Sequence, residues 1–190
     1  MKNFKLGIIV DSFRKDFKTN VEIAHSLGAD GIQMYMVEGE LAPDCMTPEK
    51  IEEVKAILRD NEMEISAVCA DLGGHGFAKA EDNDAKVATS KRIVDIANEL
   101  GAKVLTTHIG VIPEDKTCER YKVMQDACRT LGLYAEERGM RFAIETGPEK
   151  SHRAQRIPRQ PQLQGHGRQP RSRQLRHGYR PRSRRSGVSA

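Results

Sequence analysis

The sequence contains no tryptophan, and aromatic residues make up only 5% of its 190 positions. Its four cysteines form no C-x-x-C pair and no zinc-binding spacing, which argues against a zinc ribbon and a disulfide scaffold. The apolar run near the N-terminus has the length of a strand and is too short for a signal-peptide core or a membrane span. These absences predict free thiols, no membrane partner and a cytoplasmic location.

Acidic residues are missing from the end of the chain. Residues 151–190 contain 11 Arg but no Lys, Asp or Glu, whereas residues 1–150 carry 20 Lys and Arg against 27 Asp and Glu. The tail therefore has a net charge of +11 and the preceding part a net charge of −7. The tail also contains few large apolar residues, which predicts that it is disordered. The arginines also fit a nucleic-acid-binding arm, but the single tyrosine of the tail would add little base stacking.

The genetic code offers a third interpretation of this tail. Codons permitted for residues 173–180, read one base later, spell A-N-F-V-M-V-T-G. The same shift applied from Ser151 permits an amphipathic helix, the helix ending "SKG" and the apolar strand "GVNLD". One base inserted into a run of A at Glu-Lys-Ser would cause the switch. We therefore predict one structural unit at residues 1–150 and an out-of-frame tail at residues 151–190. This interpretation argues against nucleic acid as a partner.

Residues 1–150 alternate apolar segments of strand length with helical stretches that have one apolar face. The predicted strands are Lys5–Val10, Gly31–Met36, Glu64–Ala70, Lys103–Gly110 and Met140–Thr146. The apolar stripes of the four predicted helices are Val21, Ala24 and Leu27; Ile51, Val54 and Leu58; Val87, Ile93, Val94, Ala97 and Leu100; and Tyr121, Met124, Cys128, Leu131 and Ala135.

Helix ends are marked by capping residues. Thr47 followed by Pro48 is typical of an N-cap and a first helical position. Glycines at positions 28, 101 and 139 follow the other predicted helices, where a left-handed residue ends a helix. Asn61 is predicted to take that left-handed position after the second helix.

Alternating strands and helices predict right-handed βαβ units and a parallel sheet covered on both faces. No G-x-G-x-x-G follows the first strand, and no Walker motif is present. Polar residues lie at or just past the C-terminal ends of several strands, namely Asp11, Asp71, His75, His108 and Glu145. A barrel gathers such residues at one mouth, whereas an open doubly wound sheet, the alternative, binds ligands at a switch point. The fold class predicted is therefore α/β, a (β/α)8 TIM barrel of which five units are present.

The segments "DLGGHGF", "TTHIGVIPED" and "AIETGPE" occur in this order, each at a strand end. Together they resemble the sugar phosphate isomerase/epimerase family, the xylose isomerase-like TIM barrels, over residues 1–150. The resemblance implies proton abstraction next to a carbonyl of a sugar or sugar phosphate, through an enediolate. It also implies a divalent metal cofactor, Mn or Mg ahead of Co or Zn, and homo-oligomers among intact relatives.

The resemblance assigns roles to three residues. Glu145 corresponds to the strand-five glutamate, which binds the metal and moves the proton, and a carboxylate suits both tasks. His108 is implied to act in catalysis by binding a sugar oxygen, and His75 to contact the substrate from a glycine-rich loop. The family's other metal ligands, on strands six to eight, have no counterpart in this chain. We therefore expect the chain to be inactive and not to retain the metal.

Three alternatives to this function remain open. An endonuclease IV-like nuclease shares the fold and uses a zinc cluster, although the acidic character of residues 1–150 disfavours DNA binding. The arginine-rich tail could serve a nucleic-acid-binding module. A noncatalytic half-barrel could instead assemble with another chain.

Overall fold

The computed structural model describes residues 4–145, in which strands and helices alternate along the chain. The strands are β1 (Gly7–Ile9), β2 (Gly31–Tyr35), β3 (Glu64–Cys69), β4 (Val104–His108) and β5 (Arg141–Glu145). The helices are α1 (Phe17–Ser26), α2 (Pro48–Asp60), α3 (Ala80–Glu99) and α4 (Glu119–Glu136). All predicted elements are confirmed, with strands slightly shorter than predicted. The predicted tail, residues 151–190, lies outside the described residues.

All strand pairs are parallel, and the sheet order β1-β2-β3-β4-β5 follows the chain. Each strand therefore neighbours the next, with one helix as the crossover. A doubly wound sheet reverses direction at a switch point and would place a later strand beside β1 on its other side. The unbroken order is the one that a (β/α)8 barrel requires, and it decides between the two folds that the sequence allowed.

The helices cover the sheet with the apolar stripes that the sequence predicts. Val21, Val54, Ile93 and other stripe residues form one buried cluster with residues of β2 to β4. A second, smaller cluster lies between α4 and the loops that follow β3 and β4. Val87 is half-buried and packs against this second cluster. The sheet is thus fixed from its helical face, and the strand ends remain available for a site.

Two local predictions are wrong. Leu27 is 61% exposed, because α1 ends at Ser26 and the capping residue turns away from the stripe. Asn61 has an ordinary φ of −102°, and Glu62 takes the left-handed position with φ of 54°. The Asn61 side chain instead donates to the carbonyl of Ile57 at 2.9 Å, so asparagine closes this helix through its amide.

The loops that follow β3 and β4 interlock backbone against backbone. Phe77 N–H donates to the carbonyl of Ile109 at 3.0 Å. A Cβ atom on Gly76 would lie 2.1 Å from the carbonyl carbon of Ile109, and one on Gly110 would lie 2.4 Å from the oxygen of His75. Only glycine permits this approach, since both residues also have positive φ.

We expect Gly76→Ala to destabilise the chain by several kcal/mol, because the added methyl group collides with backbone. Gly73→Ala is the matched control: Gly73 has a similar φ of 69° but open space around its Cβ position. It should cost only about 1 kcal/mol, the strain of a left-handed residue. Urea unfolding followed by circular dichroism measures both variants. Equal losses would show that the interlock contributes nothing.

Candidate active site

The ends of β3, β4 and β5 bring three polar residues together. The register of β4 and β5 places His108 directly opposite Glu145. Asp71 lies two residues beyond the end of β3, the strand on the other side of β4. Because neighbouring strands lie about 4.8 Å apart, these side chains can reach one another across the sheet edge.

His108 lies between two carboxylates. Its Nδ1 is 2.8 Å from Oδ2 of Asp71, and its Nε2 is 3.3 Å from Oε2 of Glu145. The side chains of His108 and Glu145 are 50% and 40% exposed, and that of Asp71 is 24% exposed. The structure therefore brings together the two residues proposed for catalysis and adds Asp71 to them.

This geometry gives each of the two imidazole nitrogens of His108 a carboxylate partner. With a proton on Nδ1 donated to Asp71, the ring orientation is fixed and Nε2 is directed toward Glu145. The group of Asp71, His108 and Glu145, called the relay below, can accept a proton from a ligand and return it.

A second set of polar groups continues from the relay toward β1. Oδ2 of Asp11 accepts a hydrogen bond from the Tyr35 N–H at 3.0 Å. Burial raises the pKa of the Asp11 carboxyl and also that of the Cys69 thiol. The pKa of the Tyr35 phenol is also raised, first by the neighbouring Cys69 and by burial, and then by the charges of Glu145 and Asp11. Tyr35 therefore lies within electrostatic reach of both the relay and Asp11, near the carboxyl ends of the strands.

His75 is placed in the glycine-rich loop after β3, as the sequence predicts, and its side chain is exposed. Its carbonyl, rather than its imidazole, contacts the neighbouring loop, because Gly110 packs against it. Within residues 4–145, no hydrogen bond or ion pair joins the imidazole to the relay. The role of His75 as a substrate contact stays a prediction.

Sequence reasoning did not assign a role to Asp71 or Tyr35. Asp71 was recognisable as a polar residue at a strand end, but its partner depends on side-chain geometry across two strands. Tyr35 lies inside an apolar run and resembles a core residue in the sequence. Its position at the last residue of β2 was the available signal, since barrel strands end at the mouth.

The described residues do not complete a metal centre. Glu145 is the one member of the implied ligand set that falls within residues 4–145, and its Oε2 faces His108. Within this range, no group of three or more His, Cys, Asp or Glu is placed to hold a metal ion. One carboxylate does not set the geometry of a catalytic metal, so no chemical step is assigned to a metal.

The sequence matches one known family. The family described as the xylose isomerase-like TIM barrel matches residues 21–157. The chain belongs to this family. The resemblance inferred from the strand-end motifs is thereby confirmed, as is the barrel fold. No curated protein matches the chain significantly in sequence.

Solved structures of the same fold are similar to this chain. A xylose isomerase domain protein from Planctomyces limnophilus is 20% identical with a TM-score of 0.69, over 81% of this chain and 58% of its own. A D-tagatose 3-epimerase-like protein is 19% identical with a TM-score of 0.62, over 78% and 55%. A xylose isomerase-like TIM barrel protein from Mycobacterium smegmatis, solved with magnesium, is 18% identical with a TM-score of 0.55, over 74% and 54%. The chain thus spans little more than half the length of these structures.

Among residues 4–145, no helix combines the length and the apolar character that crossing a membrane requires.

We expect Asp71→Asn to change the tautomer of His108. Asp71 favours the proton on Nδ1 through a charge-assisted hydrogen bond, and the neutral amide of asparagine removes that preference. The ¹⁵N shifts of the imidazole, measured by long-range NMR correlation, should show a larger fraction with the proton on Nε2. Asp115→Asn, in the loop before α4, is the control and should leave the His108 signals unchanged. Identical spectra for both variants would rule out Asp71 as the residue that orients His108.

Proposed function

We propose that this chain is part of an enzyme that isomerises or epimerises a sugar or sugar phosphate. The observation that carries the proposal is the relay, in which a family-matched glutamate faces a histidine held by a second carboxylate. Family membership and the similarity to a D-tagatose 3-epimerase-like protein support this choice of reaction. A solvent-accessible carboxylate is a suitable base for a carbon-bound proton when it is positioned beside the substrate.

In the proposed reaction, Glu145 removes the proton from the carbon next to the substrate carbonyl. The C–H bond breaks and its electron pair forms a carbon–carbon double bond, while the carbonyl π pair moves onto oxygen to give an enediolate and the proton moves to the Glu145 carboxylate. Return of a proton to the former carbonyl carbon, with transfer of the hydroxyl proton from one enediolate oxygen to the other, gives an isomer. Return of a proton to the other face of the original carbon gives an epimer. His108, oriented by Asp71, accepts a hydrogen bond from a sugar hydroxyl at Nε2, and His75 contacts the substrate from its loop.

A divalent metal belongs to the proposed family chemistry, with Mn or Mg ahead of Co or Zn. The similar Mycobacterium smegmatis protein was solved with magnesium, which supports this proposal. When bound, such an ion would stabilise negative charge on the sugar oxygens. Residues 4–145 offer Glu145 as one ligand, and we propose that the 190-residue chain alone neither retains the ion nor turns over substrate.

The four cysteines are free thiols, which supports a cytoplasmic enzyme.

The Glu145 role predicts a measurable exchange reaction. The 190-residue chain, incubated with Mg²⁺ and D-fructose or its 6-phosphate in D₂O, should not exchange the hydrogen next to the carbonyl. A product translated with one base fewer at Glu149–Ser151 should exchange it. In that product Glu145→Gln should slow exchange by about 10²- to 10⁴-fold, the usual effect of losing a general base.

Proton NMR of the sugar follows this exchange. Glu22→Gln, which changes an exposed carboxylate on α1, is the matched control and should keep the full rate. Exchange by the 190-residue chain would contradict its proposed inactivity. Equal rates for the two glutamine variants would contradict the assignment of Glu145 as the base.

We also propose that residues 151–190 are an out-of-frame translation rather than a domain. Resequencing the source DNA across the codons for Glu149 to Ser151 tests this directly. We expect the run of A to be one base shorter than the present protein sequence implies. Confirmation of the longer run in independent clones would contradict the proposal and make the arginine-rich tail a true product.

A further inference from the structure

A cleft of about 280 Å³ lies between the loop that follows β1 and the loop that follows β2. It is called the loop cleft below. Asp11 and Lys15 line it from the first loop, and Glu38 and Glu40 line it from the second. Tyr35, at the end of β2, lines it as well. Its volume is close to the lower limit of ordinary small-molecule sites, and the proposed reaction assigns it no role.

Hydrogen bonds tie the walls of the loop cleft together. Asn20, a polar residue only 5% exposed, donates to the carbonyl of Lys15 at 3.0 Å and accepts from its N–H at 3.2 Å. Glu40 of the second loop accepts from the N–H of Phe17 at 2.6 Å and from Nζ of Lys50 at 2.9 Å. The two loops are therefore connected, so the cleft has a defined shape in the absence of a ligand.

Charged groups of both signs line this cleft, and of them Glu40 is paired with Lys50. Asp11 is half-buried, and one of its oxygens accepts from the Tyr35 N–H. Within residues 4–145, no ion pair is formed by Asp11, Lys15 or Glu38. A carboxylate removed from water without a cation needs hydrogen-bond donors. The loop cleft therefore offers carboxylate acceptors and one ammonium donor to a ligand.

We infer that the loop cleft is a binding subsite for a neutral polyhydroxylated group, held by Asp11 and Glu38 as acceptors and by Lys15 as donor. A hydroxyl group both donates and accepts hydrogen bonds, so vicinal hydroxyls satisfy a lining of mixed sign. A phosphate would meet the unpaired carboxylates of Asp11 and Glu38 beside the paired Glu40, and an amine would meet the Lys15 charge. The lining thus favours a neutral ligand over an ion of either sign.

Tyr35 connects this subsite to the relay. It lines the loop cleft, and its phenol is within electrostatic reach of Glu145. The inference rests on the proposed function in one respect: the subsite would hold the hydroxyl-bearing end of a sugar whose reacting carbon lies at Glu145. Binding at the loop cleft itself requires no reaction, which allows the two ideas to be tested separately.

The test uses D-glucitol, a neutral polyol without a carbonyl, and the full 190-residue chain. Its dissociation constant is measured by NMR titration, and we expect millimolar binding. Asp11→Asn should weaken binding about tenfold, because the amide can keep the Tyr35 contact but loses a charged acceptor. Lys15→Met should weaken binding severalfold. Lys18→Met, on the exposed side of α1, is the control and should bind like the unmodified chain.

Several outcomes would overturn the subsite. They are no binding of D-glucitol, equal affinity in Asp11→Asn and Lys18→Met, or tighter binding of inorganic phosphate that depends on Lys15. Failure of the proposed function is read from a different experiment, the exchange of the hydrogen next to a ketose carbonyl. Asp11-dependent binding of D-glucitol, without exchange by the product translated with one base fewer at Glu149–Ser151, would support the subsite and reject the isomerase. Exchange by that product without Asp11-dependent binding of D-glucitol would support the isomerase and reject the subsite.

Discussion

The parallel pairing of β4 with β5 is the constraint on which the candidate active site depends. In this register His108 lies opposite Glu145, and both side chains leave the sheet at the same edge. A shift of one residue would turn one of the two side chains to the other face and separate the histidine from the carboxylate. The 3.3 Å contact between Nε2 and Oε2 is therefore a consequence of strand register before it is a property of the side chains.

Cations on the helices hold the loops that surround this edge. Arg92 of α3 donates from Nε and Nη2 to the carbonyl of Pro43, at 3.1 and 3.0 Å. Lys86, on the same helix, donates to the carbonyl of Gly76 at 2.7 Å. These charges satisfy backbone oxygens that regular strand pairing leaves free. They are consequently not directed at the relay, whose two carboxylates leave negative charge at the strand ends.

Much of this fold was readable from the sequence, since apolar periodicity and glycine positions depend on local physics. The five strands and the buried stripes follow from the alternation of apolar segments. The prediction that Leu27 is buried was wrong because periodicity does not state where a helix stops. The prediction that Asn61 is left-handed was wrong because its amide caps the helix directly. The contact of Asp71 with His108 depends on side chains from different strands, which no local pattern specifies.

The sheet orients His108 more completely than it orients Glu145. Asp71 follows β3 and His108 is the last residue of β4. Both strands have neighbours on both sides, whereas within residues 4–145 β5 pairs with β4 alone. The Glu145 side chain is also 40% exposed. Because a misplacement of about 1 Å can lower a rate by about 100-fold, proton abstraction needs the base to be held on every side. The histidine and its aspartate are therefore preorganised by the described strands. The position of the Glu145 carboxylate depends on what packs beside β5.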